Sequence, residues 1–321
     1  ECLKSVGPGC LNAQEAAQLV QQMFKFTDDS FQRSLQEEQA RKADAAGAPP
    51  ELQQDEDDED GEGGDEEACR RSFEDAVGAV MEVAPQEFLQ CLPECSNRMK
   101  QWLTMKQHRT LALFLACDLI QHLKEHSEPA WPVFMPAVFE CLAEKDGDAR
   151  TPAAYAISLA APLPKFGEAA PEAFRRLGQI LSGPAPKKRD ESGKIAMDNC
   201  LSALFALARH QLSLCPPDVP AWQVVVSKLP IQDDEDEAKK VHKAVAELLL
   251  EQHVGLLGPD QAHLGKVLSA LAEVYKQENV CNEETDAVIL RIFQMLPRDN
   301  LLKLASGFSE KQQKKIERML A

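Results

Sequence analysis

Between Pro129 and Leu163 the chain spells two amphipathic helices back to back, and a unit of this kind cannot bury its own apolar face. In PVFMPAVFECLAEK (Pro132 to Lys145), Val133, Phe134, Val138, Phe139 and Leu142 fall on one helical stripe. In DARTPAAYAISLAA (Asp148 to Ala161), Ala153, Ala154, Ile157 and Ala161 fall on another. Glu144 to Asp148 is the turn between them. Such a pair is stable only when neighbouring copies cover it.

Looser copies recur. Second helices are expected to start near Ala68, Lys106, Asp148, Ile195, Asp236 and Glu283, at intervals of roughly 38 to 47 residues, the length of a HEAT or armadillo unit. First helices fit between them at Pro85 to Leu103, Pro129 to Lys145, Pro171 to Leu181, Val219 to Leu229 and Asp260 to Lys276. Several open with Pro in the first turn, where its missing N–H costs nothing. Two Tyr in 321 residues, with abundant Ala, Leu, Glu and Gln, argue against an extensive sheet. The expected fold is therefore all-α, a HEAT-repeat α-solenoid in which antiparallel helix pairs build a right-handed superhelix. Residues 1 to 321 are expected to form one continuous array, since a solenoid grows by adding neighbours.

Glu1 to Leu11 reads as the tail of a helix followed by a Gly-Pro-Gly turn, so the chain is expected to begin inside a larger protein. At the other end, FSEKQQKKIERMLA has Ser309 as N-cap and lysines facing water. The most apolar stretch, Leu111 to Leu123, is interrupted by Asp118 and reads as a buried helix, not a membrane span. Ten Cys are scattered, mostly on apolar faces (Cys117, Cys141, Cys200), which suits reduced thiols in a cytosolic or nuclear protein better than disulfides.

The formal charge is −17 and it is unevenly spread. The run from Asp55 to Glu67 carries ten carboxylates (Asp55, Glu56, Asp57, Asp58, Glu59, Asp60, Glu62, Asp65, Glu66 and Glu67) and no base. It cannot bury enough apolar surface to order itself, so residues 47 to 67 are expected to be a disordered acidic insertion within one repeat. Helices from Gln14 to Phe26 and from Ser30 to Ala46 should precede it. A second acidic cluster, Asp233 to Glu237, lies at an expected helix start, where carboxylates suit the positive end of the dipole. Asp233, Asp234 and Glu235, with the longer run, are candidate contacts for a basic partner, through attraction that salt would weaken. The same surface would repel phosphates, which argues against nucleic acid.

Catalytic patterns are sparse. His122-Leu123-Lys124-Glu125-His126 spells H-x-x-E-H, which on a helix would let two imidazoles share a zinc ion. It ends a helix just before Pro129, though, where a His in the last turn is favoured by the dipole alone, and no further carboxylate ligand is apparent. Cys91 and Cys95 lack a second ligand pair and read as core. Lys187-Lys188-Arg189, beside Asp190 and Glu191, reads as a solvated connection. No cofactor, metal or enzymatic activity is expected.

The acidic insertion, DARTPAAYAISLAA at Asp148, MDNCLSA at Met197 to Ala203, LPIQDDEDEA at Leu229 to Ala238, GLLGPD at Gly255 to Asp260 and the closing FSEKQQKKIERML occur in one order along the chain. By these segments the chain resembles the carboxy-terminal third of importin-beta (karyopherin-beta) superfamily receptors, and most closely the importin-5 (karyopherin beta-3) branch. It implies a nuclear transport receptor of cytoplasm, nucleus and nuclear pore, with basic protein cargo and Phe-Gly nucleoporins as partners. Ran GTPase would act through amino-terminal repeats that lie outside this sequence. In the family pattern Glu144 takes the usual place of a ladder Asp, paired with Arg150, and Thr151-Pro152 are expected to delay the following helix. A non-transport HEAT scaffold or adaptor is the alternative.

Overall fold

The computed structural model describes residues 2–47 and 63–320, and among these every regular element is helical. The chain divides into two compact units, Glu1–Met135 and Pro136–Ala321, with the division falling inside one helix.

In the first unit, α1 (Cys2–Val6) is followed by α2 (Ala13–Gly47) and α3 (Gly63–Val83). A single turn, α4 (Pro85–Phe88), leads through a 3₁₀ stretch into α5 (Leu92–Leu103), and α6 (Arg109–Leu123) completes the set. Asn12 caps α2 reciprocally: its side chain accepts from Glu15 N at 3.0 Å, and Glu15 accepts from Asn12 N at 2.9 Å. The core holds an aromatic cluster. Phe24 and Phe31 of α2, Phe73 of α3 and Trp102 of α5 meet with ring centroids 5.7 to 5.8 Å apart, mostly edge to face.

That cluster explains why α2 is one helix and not the two expected. The chain stays helical through Thr27 to Ser30, and buried Thr27 satisfies its hydroxyl within the helix by donating to the Met23 carbonyl at 3.0 Å. Phe24 and Phe31, two turns apart, then share one face. Helix α3 also starts earlier than Ala68, at Gly63, so residues 63 to 67 of the expected insertion are helical.

Helix α7 (Trp131–Ala143) spans the division. The second unit continues with α8 (Gly147–Ala160), α9 (Ala170–Ser182), α10 (Glu191–His210), α11 (Ala221–Lys228), α12 (Glu235–Leu250), the single turn α13 (Val254–Leu257), α14 (Leu264–Val274), α15 (Glu283–Met295), α16 (Arg298–Ala305) and α17 (Glu310–Leu320). Two layers result. Helices α8, α10, α12, α15 and α17 pack in succession, while α9, α11, α14 and α16 form the other layer. Helices α8, α10, α12 and α15 are second helices read from the sequence and α9, α11 and α14 are first helices; α16 and α17 had no assigned place in the repeat. Four of the second-layer helices open on a side-chain cap: Asp146, Asp190, Asp234 and Asn282 accept from amides two or three residues on, at 2.9 to 3.1 Å. Ser309 caps α17 as expected, accepting from Gln312 N at 3.3 Å while Gln312 returns a bond to Ser309 N at 2.9 Å.

The apolar stripe of α8 is fully buried at Ala153, Ala154, Ile157 and Ala161. Its helix is not delayed by Thr151-Pro152. It starts at Gly147, and Pro152 forgoes only the bond its N–H would have made to the Asp148 carbonyl. Close approach to α10 requires glycine at its head: a Cβ on Gly147 would lie 2.4 Å from the Ser192 carbonyl carbon.

Candidate functional site

Of the first acidic run, Asp55, Glu56, Asp57, Asp58, Glu59, Asp60 and Glu62 lie outside the described residues. Asp65, Glu66 and Glu67 lie in the opening turns of α3, where backbone amides favour negative charge.

The second acidic cluster is built into the joint between α10 and α12. One carboxylate oxygen of Asp198, on α10, accepts from the successive amides of Gln232, Asp233 and Asp234 at 3.1, 2.6 and 3.0 Å. Burial holds the Asp198 carboxyl above the ordinary aspartate value, and these three bonds partly offset that rise. Asn199, also on α10, donates to Asp234 at 2.7 Å, so the Asp234 carboxylate is used twice, as the α12 cap and as a partner of the preceding helix. One turn on, Ser202 donates to Glu237, whose other oxygen lies 2.7 Å from Lys240 Nζ. Asp233 and Glu235 remain exposed, Glu235 with Lys239 at 3.7 Å. Two of the three candidate contacts thus face solvent, while Asp234 mainly holds the fold.

The turn ahead of α12 is fixed from its other side as well. His242 accepts from Ile231 N at 3.2 Å through Nε2 and donates to the Val280 carbonyl through Nδ1 at 2.9 Å, and Gln232 donates to Glu273 of α14 at 3.1 Å. Asp198, Ser202, Lys240 and His242 were not among the residues read as functional from sequence. Asp198 and Ser202 lie within MDNCLSA, and Lys240 and His242 just past LPIQDDEDEA, segments that carried only the family resemblance. The two segments hydrogen-bond to each other across about 35 positions.

Glu144 and Arg150 do come together, through the main chain. Arg150 donates to the carbonyls of Leu142, at 3.2 Å, and Glu144, which closes the turn between α7 and α8.

The H-x-x-E-H segment is divided. His122 lies in the last turn of α6, Lys124 takes φ +50°, and Glu125 and His126 belong to a 3₁₀ stretch from Lys124 to Ala130. The two imidazoles therefore lack the continuous helix their spacing would need. Among the described residues no group of three His, Cys, Asp or Glu side chains is placed to hold a metal ion. The described cysteines are free, and burial pushes the thiols of Cys91 and Cys95 up and that of Cys200 up to about 12, which disfavours their thiolate forms. No described helix is long and apolar enough to cross a membrane.

An apolar groove of about 190 Å³ opens between α12, α14 and α15, lined by Leu249, Leu257, Leu264, Leu268, Ile292 and Met295. Met295 at its edge is 65% exposed.

These features define a class, an all-α solenoid of the HEAT-repeat kind whose polar residues join repeat to repeat. No family model matches the chain. Its fold is that of part of Kap121p, a karyopherin of the importin-beta kind. Against Kap121p bound to Pho4p, 98% of this chain aligns at a TM-score of 0.71 with 17% identity. The Nup53p complex gives 0.72 with 16% identity and the Ste12p complex 0.72 with 17% identity, each again over 98% of this chain. The chain spans 27% of the length of Kap121p in these structures.

Proposed function

We propose that this chain is a section of a nuclear import receptor of the importin-beta superfamily, near the importin-5 branch, and that it helps bind basic protein cargo and Phe-Gly nucleoporins. The observation that carries this reading is the agreement of fold over 98% of the chain with Kap121p in structures where that protein holds Pho4p, Nup53p or Ste12p. The helix pairs form one array whose second helices offer the cargo surface. Exposed Asp233 and Glu235 and the run from Asp55 to Glu67 attract basic segments, and the groove beside Met295 has the size and polarity for an aromatic side chain. Ran acts through repeats outside this sequence, and the receptor moves between cytoplasm and nucleus through the pore. It has no enzymatic activity of its own.

The test is capture of a basic cargo by the full-length receptor with and without RanGTP. Release by RanGTP is expected. Equal capture in both conditions would refute a carrier and favour a HEAT scaffold. Replacing the carboxylates from Asp55 to Glu67 with amides should weaken cargo binding at low salt and leave helical content unchanged. An unaltered affinity at low salt would remove that segment from the cargo surface.

A further inference from the structure

Helices α8, α10 and α12 are joined through one buried carboxylate and the ammonium paired with it. The Glu237 side chain, on α12, is only 5% exposed, and its Oε1 lies 2.7 Å from Lys240 Nζ. Its Oε2 takes the Ser202 hydroxyl of α10. Lys240 Nζ also sits 4.9 Å from the centre of the Tyr155 ring of α8 and 3.5 Å from its hydroxyl. Among the described residues Lys240 is the one cation within ion-pair distance of Glu237. Its neighbour Lys239 is 3.7 Å from Glu235 instead.

The two partners differ sharply in access. The carboxylate is buried, whereas 57% of the Lys240 side chain is open to solvent. A buried carboxylate that loses its only cation keeps the full cost of its desolvation, so removing one member of such a pair is far more damaging than exchanging both. The contact of α12 with α10 and α8 therefore depends on a charge that chemistry in solution can reach.

We propose that Lys240 is a modification site acting as a charge switch: acylation of its ε-amine unpairs Glu237 and loosens α12 from α10 and α8. The ammonium gives a proton to a base, and the free amine attacks the carbonyl carbon of an acyl thioester such as acetyl-coenzyme A. A C–N bond forms, the C–S bond breaks, and the sulfur leaves as the thiol. The product amide keeps one N–H but no charge. Burial, the largest single influence, lowers the affinity of Lys240 for its proton, and the bond to Glu237, the Glu237 charge and Tyr155 together offset it, leaving the group above the ordinary lysine value. The class of catalyst implied is an acyltransferase that brings its own base.

The experiment encodes Nε-acetyl-lysine at position 240 in the full chain, alone and with Glu237→Gln, beside Lys240→Arg. Amide hydrogen exchange is read in α10 and α12. Acetylation should speed exchange in the first turns of α12 and the facing turns of α10 by roughly tenfold to a hundredfold. With Glu237→Gln, where no buried charge remains, it should add less than about threefold, and Lys240→Arg should stay within the same bound. Equal acceleration with and without Glu237→Gln, or none in either, overturns the proposal. If the acetylated chain does not fold, recovery of folding by Glu237→Gln supports the switch, and failure of both overturns it. In a separate arm the unmodified chain is treated with limiting N-hydroxysuccinimide acetate. Label at Lys240 is expected, and label at Lys239 without any at Lys240 would show the amine to be out of reach.

Discussion

Replacing Gly147 by Ala tests the packing of α8 on α10 through a competition whose two sides have known sizes. An added methyl would lie 2.4 Å from the Ser192 carbonyl carbon, 2.5 Å from its oxygen and 2.7 Å from Gly193 N, where ordinary contact begins at 3.4 Å. All three atoms are backbone, so no side chain can rotate away, and the heads of the two helices must part by about 1 Å. Alanine in a helix gains up to about 1 kcal/mol over glycine, and less in a first turn. Overpacking of this kind costs about 1–3 kcal/mol or more. The expected net effect is a loss of about 2 kcal/mol, the cost exceeding the gain. Gly265 in α14 is the internal control, since the nearest atom to its added methyl is Leu304 Cδ2 at 3.7 Å. There the same substitution should be neutral or stabilising by up to about 1 kcal/mol. Urea unfolding reports both variants, with amide exchange in α8 and α10 locating the damage. A Gly147→Ala chain as stable as Gly265→Ala would refute the close approach of α8 and α10.

Charge at the middle of α8 should also be costly. Ala154 is fully buried, and Ala154→Asp is expected to destabilise the second unit by about 3 kcal/mol or more, measured by thermal unfolding. Unchanged unfolding would contradict the assigned face. Asp118 has its carboxyl pushed up to about 7, by burial first and by nearby Asp75, with Lys4 opposing. A carboxyl raised on folding gives stability that is complete below the unfolded value near 3.8 and is lost as pH rises through about 7. Asp118→Asn should therefore be more stable than the parent at pH of about 8 and flatten the profile below it. Parallel urea-midpoint profiles for the two chains would refute this. His242 has the opposite sign. Burial lowers its proton affinity despite the bond to Val280, so its contribution is complete above about 6.5 and fades as pH falls toward the folded value. Protection of the Ile231 amide should fall with acid in the parent and not in His242→Gln, and equal pH profiles would count against the ring as its acceptor.

The helix pairs were legible because burial imposes a period: Phe134, Val138 and Leu142, then Ala153, Ala154 and Ile157, recur at helical spacing and are buried. Caps were legible where a short polar residue precedes a periodic run, as at Ser309. The same signal misled at Thr27 to Ser30, which looks like a stop and a new cap but is carried through by aromatic packing on both sides. The joint between α10 and α12 was legible only in part. Asp234 could be placed at a helix start, but its other partner is a side chain of the preceding helix, and the amides bound by Asp198 leave no mark in a sequence. Side chains that hold main-chain groups of another repeat follow no local period. They are visible only once the repeats are stacked.

The length of α2 has a consequence for any partner that approaches the first unit. Phe31 is the last buried residue described on this helix, yet its backbone stays helical to Gly47, which at about 1.5 Å per residue carries its end roughly 24 Å past that packed residue. The helix is a boom. Charges at physiological salt are felt over only about 8 Å, so a partner at the far end of α2 lies outside the field of the Asp28–Arg98 ion pair on its packed part.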